Sequence, residues 1–413
     1  MLMTGYCNGI TGHLGTVEAA RGHLDERFAR ETRARVMSAI KQSGVESSGT
    51  PDLSPRRSVD RNDTSPGPRQ SAGFDLAIAL EHIAPRPEPE RVLAVGELSL
   101  NGDVRPVRGL IPILLAAREA GACRAIVPSC QFAEARLVSH MNLFPARTLF
   151  EARGYWQMDF QSTSIVEIHP SVLQQAGDAI RNSSLTRHPD ASTLPPHLMP
   201  AFEEAARAVR QGCHVLLTGP AGSGKTMLAR RLMSRMGEMS ATEALECAAI
   251  RSAAGLAVVT DSRRPFRAPH HTASDASMTG GGIRPVRPGE VTLAHHGILF
   301  LDELPEFRRH VLEAISWSMS TGTVRVQGVR MPAKPRLVAA MNSCPCGRGP
   351  SGPVRPYRIP IEGRVLGRRC QCSQETADRY LARVEGFIRA LDMVQIEMPP
   401  ALPLEPRREE MSS

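Results

Sequence analysis

The stretch Gly219-Pro220-Ala221-Gly222-Ser223-Gly224-Lys225-Thr226 constrains this chain more than any other. It fits G-x-x-x-x-G-K-[ST], a loop that needs a strand before it and a helix after it. Both are in place: the apolar run Val215-Leu216-Leu217 precedes it, and a helical pattern over 227–233 follows. The expected fold class is therefore α/β, with a parallel sheet flanked by helices. In that setting the glycines let backbone N–H groups close around phosphates, and the helix N-terminus adds a favourable dipole. Lys225 is expected to reach the β- and γ-phosphates of ATP, and Thr226 to hold Mg²⁺.

Two later runs carry polar groups to the same edge. Ile298-Leu299-Phe300-Leu301 is an apolar strand ending in Asp302 and Glu303. Asp302 is expected to bind the magnesium through water, and Glu303 to orient and activate the attacking water. An acidic pair at a strand end is common by itself; behind a phosphate loop in the same α/β pattern it is informative. Arg336-Leu337-Val338-Ala339-Ala340-Met341 ends at Asn342. This amide is placed either to contact the γ-phosphate or the water, or simply to cap a turn. Parallel strands present polar groups at their C-terminal ends, where such sheets bind ligands.

The nine cysteines are an odd number, and four of them form two C-x-C pairs, Cys344/Cys346 and Cys370/Cys372. Four soft ligands in two pairs suit tetrahedral Zn²⁺. The glycine- and proline-rich segment between the pairs has little core-forming potential, and a metal would tie it together. Cysteines without a metal are the alternative. His270-His271 and His295-His296 are further candidate ligands, but no carboxylate or cysteine lies at ligand spacing from them. Lining a site or packing is therefore the expected role for both pairs.

Length and composition set the frame. A chain of 413 residues accommodates two or three domains of roughly 100–200 residues each. A hydrophobic fraction of 41% permits an ordinary core and excludes wholesale disorder. No apolar run is long enough to span a membrane, and the opening Met1-Leu2-Met3-Thr4-Gly5 lacks the basic and apolar regions of a secretory leader. A cytoplasmic location is expected. Lys+Arg 50 against Asp+Glu 42 leaves +8. This weakly favours a polyanionic partner, although a solvated surface is the commoner cause of such a balance.

Along the chain, the patterns predict a helix over 25–42 and a polar exposed loop over 46–70. A buried helix follows over 73–80, then a strand over 92–98 and a turn at Asn101-Gly102 leading to a second strand. A helix over 111–119 and a strand over 125–127 complete the first half. Residues 150–190 show little periodicity. The expected division is a first domain at 1–150, a connector at 151–195, a nucleotide-binding domain at 196–398 and a tail at 399–413.

Several longer motifs carry a resemblance. Pro265-Phe266-Arg267-Ala268-Pro269-His270-His271-Thr272-Ala273-Ser274, Gly280-Gly281-Gly282, Gly289-Glu290-Val291-Thr292-Leu293-Ala294-His295, Leu301-Asp302-Glu303-Leu304 and Ala339-Ala340-Met341-Asn342-Ser343-Cys344-Pro345-Cys346-Gly347 are similar to the Mg-chelatase-like AAA+ ATPases of the ComM/YifB type. The resemblance covers about 212–385. It implies a P-loop AAA+ sheet, ATP hydrolysis, assembly as a homo-hexamer or a mixed ring with full-length relatives, and DNA as a partner through ATP-driven branch migration in natural transformation. Gly96-Glu97-Leu98-Ser99-Leu100-Asn101-Gly102, Pro106-Val107-Arg108-Gly109-Leu110 and Leu115-Ala116-Ala117-Arg118-Glu119-Ala120-Gly121 resemble the Lon-protease-like α+β domain of that family. Ser71 falls near the Lon serine, but the lysine position reads Ile111. A serine without a base is a weak nucleophile, so proteolysis is not expected.

The chain departs from the family in places. The family's L-L-D-R-I-D, whose arginine acts across the subunit boundary, aligns with Phe387-Ile388-Arg389-Ala390-Leu391-Asp392-Met393, which puts Leu391 at the arginine position. The chain ends at Ser413, so the helical lid and its sensor residue are expected to be missing. A family core strand is replaced by the polar loop. Three readings remain open: an active motor on nucleic acid, a nucleotide-binding protein with little turnover, and a chelatase-type motor for a metal-insertion partner. Aromatic residues are only 4%, so base stacking gives no usable signal. The hairpin Thr323-Val324-Arg325-Val326-Gln327-Gly328-Val329-Arg330 either turns Arg325 or Arg330 toward phosphates in a ring pore or is merely solvated.

Overall fold

A computed structural model describes residues 2–16, 26–44, 73–83, 91–157, 194–258, 262–282, 285–347 and 372–400. The expected loop at 46–70, Ser71, Cys370 and the tail beyond 400 lie outside these residues. No helix among the described residues is long and apolar enough to cross a membrane.

The first half contains β1 (Leu2–Asn8), β2 (Thr11–Thr16), α1 (Glu26–Gln42), α2 (Asp75–Ile83), β3 (Val92–Ala94), β4 (Glu97–Leu98), β5 (Val104–Arg105), α3 (Leu110–Glu119), β6 (Arg124–Pro128), β7 (Asn142–Ala146) and α4 (Leu149–Gln157). Five strands form a mixed sheet in the order β2-β1-β3-β6-β7, antiparallel only between β1 and β2. The strand expected over 92–98 is divided. Gly96 donates its N–H to Gly73 O and accepts from Leu76 N–H, so the chain leaves the large sheet there. It then enters the short hairpin β4/β5, which the Asn101-Gly102 turn foretold. One face of the sheet packs against α1, α2 and α4 through Val36, Leu76, Leu80, Leu149, Ala152 and Trp156. Helix α4 thus packs with this core, at the start of the segment expected to be a connector at 151–195.

The second half contains α5 (Met199–Arg210), β8 (Val215–Thr218), α6 (Lys225–Arg231), α7 (Ala241–Ala254), β9 (Phe266–Arg267), β10 (Gly280–Gly281), β11 (Arg287–Pro288), β12 (Ile298–Leu301), α8 (Arg309–Thr321), β13 (Thr323–Val326), β14 (Val329–Pro332), β15 (Arg336–Met341), α9 (Gln374–Ala390) and β16 (Val394–Glu397). Its main sheet is parallel throughout, in the order β16-β8-β15-β12-β9. Strands β8, β12 and β15 are apolar almost without interruption because both their faces are covered. Phe202, Leu228 and Phe300 belong to the core on one side, and Leu312, Ile315, Val384 and Phe387 to the core on the other. The order places β15 between the phosphate-loop strand β8 and the acidic strand β12. Three polar termini thereby converge at one edge.

The two halves are not separated by a free joint. Ala248, Ala249 and Ala253 of α7 lie in the core that covers the other face of the first sheet, together with Ile111, Leu114 and Val127. Gly109 N–H donates to Ser252 O at 2.9 Å, and the Ser252 hydroxyl donates to the Glu134 carboxylate. Asn8 Oδ1 accepts from Val286 N–H at 3.0 Å, while Gly9 N–H donates to Val286 O at 3.1 Å. The small alanine side chains of α7 are what let it approach α3.

Candidate nucleotide site

The phosphate loop leaves the C-terminal end of β8 and opens α6. Gly222 and Gly224 have φ of 80° and 86°, a left-handed conformation that a side chain would strain. With Ser223 and Lys225 buried beneath it, the loop lines an open cleft of about 400 Å³. Gly224, Thr226, Asp302, Glu303 and Asn342 line the same cleft, as do Ala221 and Gly222.

Lys225 Nζ donates to Gly219 O at 3.0 Å, Pro220 O at 2.8 Å and Asn342 Oδ1 at 3.2 Å, and is 3.4 Å from Ser223 Oγ. Burial pulls its pKa below the ordinary lysine value, and the Asp302 carboxylate opposes that shift. The Thr226 hydroxyl donates to Asp302 Oδ2 at 2.7 Å, and Asp302 Oδ1 accepts from Glu303 N–H at 3.0 Å. The structure therefore brings together every described residue that the sequence nominated for nucleotide and magnesium.

Glu303 sits at φ 53°, a left-handed position uncommon for a residue with a side chain. His271 Nδ1 lies 3.2 Å from its carboxylate, and the His271 ring packs edge-on to Phe307. His271 thus lines the site, as one of the two alternatives for that pair had it. Its partnership with Glu303 carried no sequence signal, because 31 residues, including β10, β11 and β12, separate them.

The pair at 295–296 is elsewhere, at the start of β12, and there the absence of a carboxylate partner is corrected. Glu246 of α7 accepts from His295 Nε2 at 3.1 Å and from His296 Nε2 at 2.7 Å. His295 Nδ1 accepts from Lys334 N–H at 3.1 Å, so the proton of a neutral ring sits on Nε2. That tautomer leaves His295 no lone pair for an ion, so this ring serves as a packed, hydrogen-bonded side chain. Burial, more than the neighbouring His296, drives the His295 pKa from 6.5 down to about 4. In the unfolded chain the ring takes a proton below about 6.5; in the folded chain it resists until about 4. The resulting stability is whole above the higher value and is lost as pH falls toward the lower. Urea midpoints are expected to drop between pH 7 and pH 5, and His295→Gln to flatten that dependence. An equally steep dependence in the variant contradicts this.

Cys344, Cys346 and Cys372 present sulfur atoms that all lie within 4.8 Å of one another, with Cys344 and Cys346 3.2 Å apart. Three of the four nominated thiols are thus assembled, and Cys370 lies outside the described residues. Leu391, at the arginine position of the resemblance, is buried beside α9 in the core that holds Val384, Phe387 and Met393.

Comparison with known proteins agrees with this geometry. The family model described as magnesium chelatase, subunit ChlI, matches residues 201–403, and one described as subunit ChlI of Mg-chelatase matches 22–131. An uncharacterized protein of Mycobacterium tuberculosis is 34% identical over 347 residues, covering 80% of this chain. The chain spans 62% of that relative's length. Competence protein ComM of Haemophilus influenzae is 33% identical over 393 residues, covering 91% of this chain and 70% of that protein. YifB of Escherichia coli, uncharacterized, is 33% identical over 399 residues with the same coverage. Among solved structures, NtrX from Brucella abortus in complex with ATP has a TM-score of 0.35 at 15% identity, covering 79% of this chain and 56% of its own. The BchI–BchD complex of magnesium chelatase has a TM-score of 0.29 at 19% identity, covering 49% and 60%. Likenesses that loose do not bear on the site. The relatives do: identity of a third across nine-tenths of the chain means that the chain belongs to the ComM/YifB-type family of Mg-chelatase-like AAA+ proteins.

Proposed function

We propose that the chain binds ATP with Mg²⁺ in this cleft and works in the cytoplasm as part of a ring acting on DNA, as the family role in branch migration implies. The observation that carries the reading is the meeting of Thr226 and Asp302 at 2.7 Å beside the Lys225–Asn342 pair. A hydroxyl from the first turn of α6 and a carboxylate just past β12 form a hard oxygen pair suited to magnesium. The bound magnesium would neutralise charge on the β- and γ-phosphates.

Lys225 holds those phosphates and Thr226 and Asp302 the ion. Asn342 orients the terminal phosphate or the water, and Glu303 accepts the proton of that water. The backbone N–H groups of 222–226 cradle the phosphate oxygens. In this reading the paired cysteines carry a structural Zn²⁺. A DNA partner is favoured by the β13/β14 hairpin, where Arg325 and Arg330 face each other across the strands and are both exposed. Like charges directly opposed destabilise a hairpin, and a polyanion relieves that repulsion. Leu391 supports a second reading in which the isolated chain binds nucleotide but turns it over slowly.

Turnover of the purified chain with and without DNA tests the proposal. Stimulation by DNA, reduced about 100-fold or more by Glu303→Gln, is the expected result. Turnover indifferent to DNA at every concentration favours a metal-insertion motor instead.

A further inference from the structure

The three assembled thiols are joined to the phosphate loop by the backbone. Cys344 through Gly347 form a turn closed by Gly347 N–H donating to Cys344 O at 3.1 Å. Gly347 is left-handed, at φ 67°, and turns its carbonyl back over the cleft. There it accepts from Ala221 N–H at 3.0 Å. The approach is close enough that a Cβ at Gly347 would stand 3.3 Å from that of Ala221. Two residues before Cys344, Asn342 accepts from Lys225. The turn that carries two of the thiols therefore touches the phosphate loop at its backbone and at its lysine.

The third thiol comes from another element. Cys372 immediately precedes Ser373, whose side chain caps α9 by accepting from Thr376 N–H. Buried Tyr380 of the same helix lies beside the Asn342 backbone. An ion held between Cys344, Cys346 and Cys372 would fasten the turn to the start of α9. It would thereby restrict the motion of the segment on which Ala221 and Lys225 lean.

We infer that these three cysteines form a site for a soft divalent cation such as Zn²⁺, and that its occupancy sets the affinity of the phosphate loop for nucleotide. The inference rests on the nucleotide reading above and adds a regulator to it. Thiolates are the ligands, so each thiol that coordinates releases its proton. Because the coupling is thermodynamic it works in both directions: if the cation tightens nucleotide binding by some factor, nucleotide tightens cation binding by the same factor.

The test uses the full chain in two forms, loaded with ZnCl₂ and stripped with a chelator, titrated with a fluorescent ATP analogue. Zinc content is measured in each form. About one zinc per chain and roughly tenfold tighter nucleotide binding in the loaded form are expected, within the usual range of such couplings. Zinc returned to the stripped chain should restore the affinity, whereas Cys372→Ser should bind nucleotide equally with and without zinc. In the reverse titration, chelator competition should show zinc held about tenfold more tightly when the non-hydrolysable analogue is present. Bound zinc with identical nucleotide affinity in both forms overturns the coupling. Absence of bound zinc from the loaded form overturns the site. Bound zinc with no nucleotide binding in either form overturns the nucleotide reading and the inference together.

Discussion

Lys225→Ala is expected to weaken ATP binding by about 100–1,000-fold. The ammonium is the buried point charge of the loop, and it rests on Gly219 O, Pro220 O and Asn342 Oδ1. These are neutral acceptors that a phosphate oxygen can displace. Two charge-assisted hydrogen bonds to phosphate, at about 1.5–3 kcal/mol each, add to about 3–4 kcal/mol once the bonds to those acceptors are given up. At about 1.4 kcal/mol per decade this gives the stated range. Isothermal titration of both proteins with a non-hydrolysable analogue and Mg²⁺ measures it. Thermal unfolding without nucleotide serves as the control, because the substitution also leaves Asn342 Oδ1 without its donor. Equal affinity in the two proteins would falsify the assignment of the cleft.

The second large effect concerns turnover. The isolated chain is expected to hydrolyse ATP some 10³–10⁵-fold more slowly than a ring supplied with an arginine finger. The family's arginine position is Leu391, and this side chain is only 8% exposed. Leu391→Arg is not expected to restore the rate. Residue 391 caps the C-terminal end of α9 and precedes β16, whose first residue pairs with the first residue of β8. It therefore lies at the edge of the sheet opposite the phosphate loop and inside the core. A guanidinium placed there loses the leucine's burial and most of its own hydration, a cost of about 3 kcal/mol. The variant should thus show a lower urea midpoint and unchanged turnover, while a full-length relative mixed into the ring should raise the rate. Steady turnover near 1 s⁻¹ by the isolated wild-type chain, abolished by Glu303→Gln, would remove this expectation.

The parts of the site legible in the sequence were those held by continuous local patterns. The phosphate loop, Asp302 and Asn342 each follow an apolar strand, and a sheet buried on both faces leaves that signature wherever it occurs. The Asn101-Gly102 turn was legible for a similar reason, since its geometry depends on two adjacent residues. Elements too short to show a period left no such trace. Strand β9 is two residues long and β10 and β11 are no longer. The opening hairpin β1/β2 is mixed in character, with Gly5, Gly9, Gly12 and Gly15 breaking any alternation. Pairings between distant segments were equally hidden. Glu246 meets His295 and His296 only because α7 lies beside the start of β12, and Arg35 meets the buried Asp75, at 2.9 Å, only because α1 crosses α2. No spacing rule connects residues that the fold alone brings together.

The alanine face of α7 gives the chain a mechanical property. A helix that belongs at once to the nucleotide-binding half and to the core of the first sheet is a shared beam rather than a tether. Through Ala248, Ala249 and Ala253 it shares its packing with Ile111 and Leu114 of α3, so parting the two halves would open a common core. The first half is thus built into the nucleotide-binding half rather than hung from it.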